Sequence, residues 1–336
     1  GAEAGSNDRV QSATFGYVQE RKLSRSLTAE YGALLDFLSL NDKSGRLNPY
    51  GRISYSTASN GVITLAYSGI GPRAMPSGWD TQKQGAEQWL AIPQISASEG
   101  GAPVLEMGRH AEARWENSWR PGAFLSPVQT EVAVYMDELS SPALTVSYRL
   151  PSGMAMPTGS LRDPYSNRHF MSGTSYRSPG ARVAASAQLN SAITLVTSYS
   201  YSGSLQAIAE LADASDLAQL RSALRQSRNH SFAIKVDSAL PRTRTHVLAS
   251  YRWMPAGAVT MTDPYNRGIG QADPYLSVYV LQPIPSPDIL PGQFAAIADF
   301  SNLLAQGYIP FRGANGLTGT LYPAARIFRG GFNFTF

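Results

Sequence analysis

Residues 326–336 read RIFRGGFNFTF, and this stretch decides which folds the chain can adopt. Its even positions carry Phe328, Gly330, Phe332, Phe334 and Phe336, whereas its odd positions from 329 onward carry Arg329, Gly331, Asn333 and Thr335. One apolar and one polar face at a period of two residues is typical of a β-strand. In a soluble sheet the aromatic face would point into a core. In an outer-membrane barrel it points to lipid, and the closing strand ends on an aromatic residue.

Composition favours the second alternative. Charged residues make up 15% of the 336 residues, against the roughly 25% that is usual in soluble domains. Hydrophobic residues stand at 43%, so polar uncharged residues and glycine fill the difference. No apolar run approaches the ~18 residues that a membrane-spanning helix needs. A membrane location would therefore depend on β-strands.

Charge and cysteine content exclude several function classes. The net charge of +4 comes from scattered residues, so the sequence has no nucleic-acid footprint. The chain contains no cysteine, which removes disulfide frameworks, thiolate zinc sites and cysteine nucleophiles. Residues 1–6 carry neither the charged nor the apolar region of a secretion signal, so such a signal was removed or lies upstream.

Alternation of apolar and polar residues recurs in about thirteen segments, joined by connections that are short and long in turn. Asn60-Gly61 is a strong hairpin signal, and 71–104 and 138–177 are predicted long loops. Leu217, Leu220 and Leu224 predict a short amphipathic helix within 205–226. Residues 294–308 fit a strand or a helix. We predict one domain over 1–336: an antiparallel transmembrane outer-membrane β-barrel with about 12–14 strands and long extracellular loops.

One predicted strand, 105–119, carries an unusual number of ionisable side chains on a single face. A buried sheet would not tolerate such a row without partners, whereas a water-filled lumen would. The predicted lumen-facing polar residues are Glu106, His110, Glu112, Arg114 and Glu116.

Several stretches resemble the C-terminal barrel of TonB-dependent outer-membrane receptors. They are NLLAQGY at 302–308, the closing strand at 328–336, and the internal segments 108–116 and 178–183. The resemblance implies a Gram-negative-type outer membrane, a periplasmic C-terminus, and contact with membrane lipid and the barrel-assembly machinery. It places Asn302 and Tyr308 on the penultimate strand, and Phe328, Phe332, Phe334 and Phe336 on the closing, assembly-directing strand. The chain departs from the family because it shows neither a plug domain nor an energising-protein box, and it is too short for the usual twenty-two strands.

Three functions remain open from the sequence. The first is a receptor or porin-like transporter that binds or passes a ligand through its loops and lumen. Its loop ligand-contact candidates are Trp79, Trp89, Tyr165 and Tyr265, residue types that are common in binding surfaces. The second is a non-transporting structural subunit of an envelope complex. The third, an outer-membrane phospholipase, is disfavoured because no serine and histidine form a nucleophile motif.

We assign no catalytic, cofactor-binding or metal-binding residue, and expect neither an enzyme nor a nucleic-acid partner. The four histidines have no metal-ligand spacing. The acidic pairs Glu112/Glu116 and Asp163/Asp263 fit either calcium sites between loops or solvated charge.

The strand count has a consequence for completeness. Bacterial single-chain barrels have an even number of strands and both termini in the periplasm. An odd count of thirteen would start the chain in an outer loop, which predicts the C-terminal part of a larger barrel. The remaining strands and a plug would lie on an N-terminal or separate polypeptide, or on other envelope subunits. The edge strands 11–19 and 326–336 would then pair with another chain, whereas pairing with each other would make a complete smaller barrel.

Overall fold

The protein is described from a computed structural model, which places the following residues: 11–39, 43–58, 60–69, 71, 95–98, 100–122, 126–149, 159–163, 166, 168–208, 216–266, 268–285, 293–313 and 315–335. Trp79, Trp89, Tyr165 and Phe336, which the sequence singled out, lie outside the described residues. No described helix is long and apolar enough to cross a membrane.

Thirteen strands form one antiparallel main sheet, in which neighbours in the chain are neighbours in space. In order they are β1 (Gln11–Lys22), β2 (Leu27–Ser39), β3 (Lys43–Ser56), β4 (Gly61–Ser68), β7 (Met107–Trp119), β8 (Val128–Ser140), β12 (Tyr176–Asn190), β13 (Ile193–Ala207), β14 (Leu224–Leu240), β15 (Thr245–Trp253), β16 (Tyr275–Ile284), β17 (Gln293–Ser301) and β20 (Ile327–Thr335). The predicted all-β antiparallel class and strand number are confirmed. The ambiguous segment 294–308 contributes the strand β17.

Short turns and long connections alternate along the main sheet. The predicted Asn60-Gly61 hairpin joins β3 to β4, and Asn60 has a φ of 59°, in the left-handed region that asparagine tolerates. Long connections follow β4, β8, β13, β15 and β17. All five emerge from the same side of the sheet, because each follows an even number of strand reversals from the others.

The two faces of the main sheet are inverted relative to a soluble protein. A row of directly opposed residues crosses eight strands, and each side chain in it is between 41 and 52% exposed: Tyr55, Ile63, Trp115, Val132, Val183, Tyr199, Phe232 and Trp253. The adjacent row on the other face contains Thr64, Ala133, Arg182, Ser200 and Ser231, none more than 4% exposed. Large apolar side chains thus face outward while polar and charged ones are buried. This is the architecture of an outer-membrane β-barrel wall.

A second sheet of five strands lies over the long-connection side and is called the cap sheet. Its order is β10 (Leu161–Arg162), β11 (His169–Ser172), β9 (Ala143–Arg149), β19 (Thr318–Tyr322) and β18 (Ile309–Arg312), and a separate pair is formed by β5 (Ile95–Ala97) and β6 (Pro103–Leu105). The prediction of 138–177 as loop is therefore wrong in part, since β9 and β11 pair with each other.

The cap sheet shows that the main sheet is curled. β9 belongs to the connection between the sixth and seventh strands of the main sheet, and β19 to the connection between the twelfth and thirteenth. The two strands nevertheless pair antiparallel. In a flat sheet these points would be separated by six strand spacings, or about 29 Å at ~4.8 Å each. Together with the burial of the polar row that contains Thr64, Arg182 and Ser231, this pairing indicates that the main sheet bends around a shared interior.

The cap sheet has a conventional apolar core, unlike the main sheet. The predicted short helix is α1 (Leu217–Ser222), whose N-cap Asp216 accepts a hydrogen bond from the Gln219 amide at 2.7 Å. Leu217, Leu220 and the following Leu224 are buried by packing against the protein's own loops. Their cluster comprises Leu139, Leu144, Val146, Met171, Tyr176, Leu205, Leu217, Leu220, Ala223, Leu224, Val259, Tyr265, Phe311, Leu317 and Leu321.

The placement of Asn302 and Tyr308 on the penultimate strand is wrong. That strand, β17, ends at Ser301, and Asn302 follows it with a φ of 47°, which does not continue a strand. The buried Asn302 amide donates to the carbonyls of Gln306 and Ala324, both at 2.9 Å. Asn302 therefore fixes the turn that leads from β17 towards the cap sheet.

The main sheet has two edges, β1 and β20. Within the described residues, β1 pairs only with β2 and β20 only with β17. β1 and β20 are the first and the thirteenth strand of an antiparallel sheet, so they run in the same direction. The topology therefore rules out antiparallel pairing between these two edge strands.

Candidate functional site

The connection between β15 and β16, residues 254–274, turns into the curled sheet and is called the inner loop. Its Val259 amide donates to the Leu205 carbonyl at 2.9 Å, and its Gly270 carbonyl accepts from Ser198 Oγ at 3.0 Å. Both partners lie on β13, two strands away from β15. Asp263 and Tyr265 of the same loop contact β12 and β7, which are three and five strands away from β15. The inner loop therefore crosses the buried polar face of the main sheet.

Arg182 on β12 is the centre of a buried charge cluster beneath this loop. Its Nε donates to Glu131 Oε1 and its Nη2 to Glu112 Oε2, both at 2.7 Å. Its Nη1 donates to both carboxylate oxygens of Asp263 in the inner loop, at 2.9 and 3.1 Å. The guanidinium carbon also lies 5.7 Å from the ring centroid of Tyr135. One side chain, only 1% exposed, thus joins β7, β8 and the inner loop.

His110 on β7 forms the second attachment of the inner loop. Its Nδ1 lies 2.6 Å from Asp137 Oδ1, and its Nε2 lies 3.6 Å from Glu112 Oε2. The ring of Tyr265 from the inner loop stacks on the His110 ring, with centroids 4.8 Å apart and planes 21° apart. The loop is therefore held by an ion pair at Asp263 and by a ring stack two residues later.

The sequence builds this cluster through strand alternation and small residues. Register places His110 opposite Asp137, and Arg182 opposite Ala133, on the same face. Gly108 lies beneath Tyr265, where an added Cβ would stand 1.7 Å from the Tyr265 hydroxyl oxygen. A side chain at position 108 would therefore displace the ring from its place above His110.

Carboxylates outnumber cations in the charge cluster. It contains five carboxylates and three basic side chains: Glu112, Glu116, Glu131, Asp137 and Asp263 with His110, Arg114 and Arg182. Glu131 Oε2 and Asp137 Oδ2 are buried without a hydrogen-bond partner among the described residues. With every group ionised, the charge cluster itself carries two more negative than positive charges, and the buried Arg252, which lies close enough to interact with Asp263, offsets part of this surplus.

The structure assigns different environments to the residues predicted to line the lumen. His110 and Glu112 are buried in the cluster, whereas the Arg114 and Glu116 side chains are 15 and 38% exposed beside it. Glu106 lies in the connection before β7 and is 8% exposed. Burial raises the pKa of its carboxyl to about 8, while a backbone hydrogen bond from Ala143 acts in the opposite direction.

Two sequence interpretations need correction here. Tyr265 is not a surface contact for a ligand, because it is only 7% exposed. Its ring packs on His110 and belongs to the apolar core beneath the cap sheet. Asp263 is not solvated and does not pair with Asp163, since Arg182 binds both of its oxygens. Within the described ranges no group of three or more acidic or histidine side chains is placed to hold a metal ion.

The aromatic residues of the closing strand lie on the outward face as far as they are described. Phe328 and Phe332 are 70 and 75% exposed, and Phe334 is partly buried. Phe300 on β17 packs edge-on against Phe328, with ring centroids 4.1 Å apart. The aromatic side of the quoted stretch therefore points away from the charge cluster.

Sequence reasoning missed the central role of Arg182 and the inward course of residues 254–274. The available signal was the strand alternation that places Arg182 between Ala181 and Val183. An arginine at an inward position of an apolar strand requires carboxylate partners. The third partner, Asp263, comes from the loop after β15, which is three strands away from β12 in the sheet order, and no local pattern encodes that contact.

No family model matches the chain, and no curated protein matches it significantly. Similar solved structures are porins. Salmonella typhi OmpF, in a complex with daunomycin, is 9% identical over 96% of this chain and 93% of its own, with a TM-score of 0.31. A mutant of the Rh. blastica porin is 9% identical over 97% of this chain and 91% of its own, with a TM-score of 0.26. Scores this low do not establish a shared topology, so the fold assignment depends on the inverted faces of the main sheet.

Proposed function

We propose that this chain forms wall and lumen of an outer-membrane β-barrel that passes or takes up a ligand through a lumen closed by its inner loop. The observation that carries the proposal is the inverted main sheet with a loop bound across its polar face. Lipid contact explains the row of exposed apolar side chains from Tyr55 to Trp253, because water-soluble proteins rarely leave such a continuous apolar surface uncovered. The long connections and cap sheet would face outward, and the short turns and C-terminus the periplasm of a Gram-negative-type bacterium.

The inner loop favours a gated transporter over an open pore. Its attachment uses a buried ion pair, a ring stack and backbone hydrogen bonds, and each of these would have to break before a solute could pass along β7, β8 and β12. The surplus of carboxylates beneath the loop favours cationic solutes over anionic ones. This agrees with a receptor-type barrel, including the TonB-dependent type that the closing strand resembles.

A structural subunit remains the second candidate, because the cap sheet has its own apolar core and fastens two long connections together. Planar-bilayer recordings of the full chain together with any copurifying polypeptide separate the two functions. We expect little current from the wild-type protein, and a cation-preferring current once the inner loop is released. A protein that never conducts, with the loop docked or released, would support the structural subunit.

We propose further that polypeptide outside residues 11–335 completes the wall with an odd number of strands. An open sheet edge is unfavourable in lipid, where each unpaired backbone group costs several kcal/mol. Neither β1 nor β20 contains proline or a strand bulge that would protect an edge. A second copy rotated about the barrel axis would again bring parallel edges together. An odd number of inserted strands restores antiparallel pairing at both edges.

Engineered disulfides test this completion, because the natural chain has no cysteine. We expect that Tyr17→Cys on β1 forms no disulfide with Cys at Phe328, Gly330 or Phe332 on β20. The matched control is Tyr17→Cys with Ala33→Cys, which oppose each other on β1 and β2 and should cross-link readily. A β1–β20 disulfide that forms as readily as the control would show that this chain closes its own wall.

A further inference from the structure

Three arginines lie on the outward face of the main sheet at its long-connection side. They are Arg109 on β7, Arg177 on β12 and Arg228 on β14, all exposed, and together they are called the outer rim. Each shares its face with a residue of the exposed apolar row, since Arg109, Arg177 and Arg228 precede Trp115, Val183 and Phe232 by six, six and four residues. The residues between on that face are small or amphipathic: Ala111, Ala113, Pro179, Ala181 and His230. The outer rim therefore stands directly above the lipid-facing band.

Strand pairing brings the members of the outer rim onto one continuous surface. Arg109 and Arg177 both oppose Glu138 on β8, one from each side. Gln226, two residues before Arg228, donates from Nε2 to the Arg177 carbonyl at 2.8 Å. Arg177 and Arg228 therefore belong to the same patch although β13 lies between their strands.

Within the described residues, no ion pair balances the charges of the outer rim. The strand register places Glu138 opposite Arg109 and Arg177, whereas Arg228 stands opposite Gly203, and the described residues form no ion pair with any of the three arginines. Guanidinium groups above an apolar band lie at the level of lipid headgroups, where phosphate oxygens are the available anions. Arginine binds phosphate through two parallel N–H donors, which suits this position.

We propose that the outer rim binds the phosphate groups of a phosphorylated glycolipid, of the lipid A type, in the outer leaflet. This proposal rests on the proposed function, because it requires the long connections to face outward. Each basic side chain near an anionic membrane surface contributes about 1 kcal/mol, so two lost arginines should weaken retention by about tenfold or more. The bound lipid would hold β7, β8, β12 and β14 together at their outer ends.

The test uses the full chain with any copurifying polypeptide, reconstituted in phosphatidylcholine bilayers that contain bisphosphorylated lipid A. Native mass spectrometry then counts retained lipid A in the wild type and in the Arg177→Gln/Arg228→Gln variant. The matched control, Arg242→Gln/Arg244→Gln, removes two exposed arginines from the short turn between β14 and β15. Dephosphorylated lipid A with the same acyl chains serves as the second probe.

We expect the outer-rim variant to retain about tenfold less lipid A than the wild type, and the control variant to retain as much as the wild type. Dephosphorylated lipid A should be retained equally by all three proteins. Equal retention by the wild type and the outer-rim variant would overturn the proposal, and so would equal loss in the control. Insertion is scored separately by protease protection of the strands. A wild type that does not insert contradicts the proposed function itself, whereas insertion without selective retention contradicts only the lipid site.

Discussion

Arg182→Met is expected to destabilise the protein by about 3–5 kcal/mol, the cost of removing one partner of a buried ion pair. Arg182 binds Glu112, Glu131 and Asp263 with a separate nitrogen for each, and its side chain is 1% exposed. Methionine preserves the unbranched apolar stem of the side chain but leaves three carboxylates without this cation. Lysine should rescue poorly, because one ammonium group cannot reproduce the three-way geometry.

Urea unfolding in lipid vesicles measures this prediction. The matched control is Arg52→Met, which breaks the Arg52–Glu30 pair at 2.6 Å, where the arginine is 44% exposed. Such an exposed pair contributes less than about 1 kcal/mol. Adding Glu131→Gln and Asp263→Asn to Arg182→Met should recover much of the lost stability. A cost for Arg182→Met no larger than the control would show that the cluster does not hold the folded protein together.

Asp263→Asn combined with Tyr265→Ala is expected to loosen the inner loop, which then keeps its hydrogen bonds to β13, and to raise the conductance of the reconstituted protein severalfold. The first change removes the ion pair to Arg182, and the second removes the stack on His110. The wall itself should persist, because Glu112 and Glu131 still bind Arg182. Limited proteolysis should cut within 254–274 in the variant and spare the same segment in the wild type.

The control for loop release is Asp237→Asn, which removes a carboxylate from β14 without touching the inner loop. Asp237 pairs with His246 at 2.6 Å, and both side chains are partly exposed. Its current should match that of the wild type. If the loop-release variant becomes protease-sensitive but carries no more current, the inner loop does not close the lumen.

The strands were predictable from sequence because their signal is local. Trp115, Val183 and Phe232 alternate with Glu116, Arg182 and Ser231, and strand alternation needs no knowledge of distant residues. The hairpin at Asn60 was predictable for the same reason, since asparagine tolerates the left-handed φ of 59° that this turn requires. The inverted faces followed from charged residues on one side of 105–119.

The interior was not predictable, because its contacts join residues far apart in the chain. Asp263 binds Arg182 across 81 positions, and β9 pairs with β19 across most of the second half of the protein. The same limit explains the error at Asn302, where a family-like motif suggested a strand. Its side chain instead bonds the Ala324 carbonyl, 22 positions away, and this contact sets the turn.

The central claim is that the aromatic face of the main sheet contacts lipid while the opposite face lines the interior. Single cysteines at the neighbouring positions Phe328 and Arg329 test it most directly, because both side chains are more than half exposed and they point to opposite faces. Each cysteine carries an environment-sensitive fluorophore in vesicles with brominated lipid. We predict strong quenching by the lipid at position 328, and quenching by aqueous iodide but not by lipid at position 329. Equal quenching at both positions, or lipid quenching at 329 alone, would contradict the account.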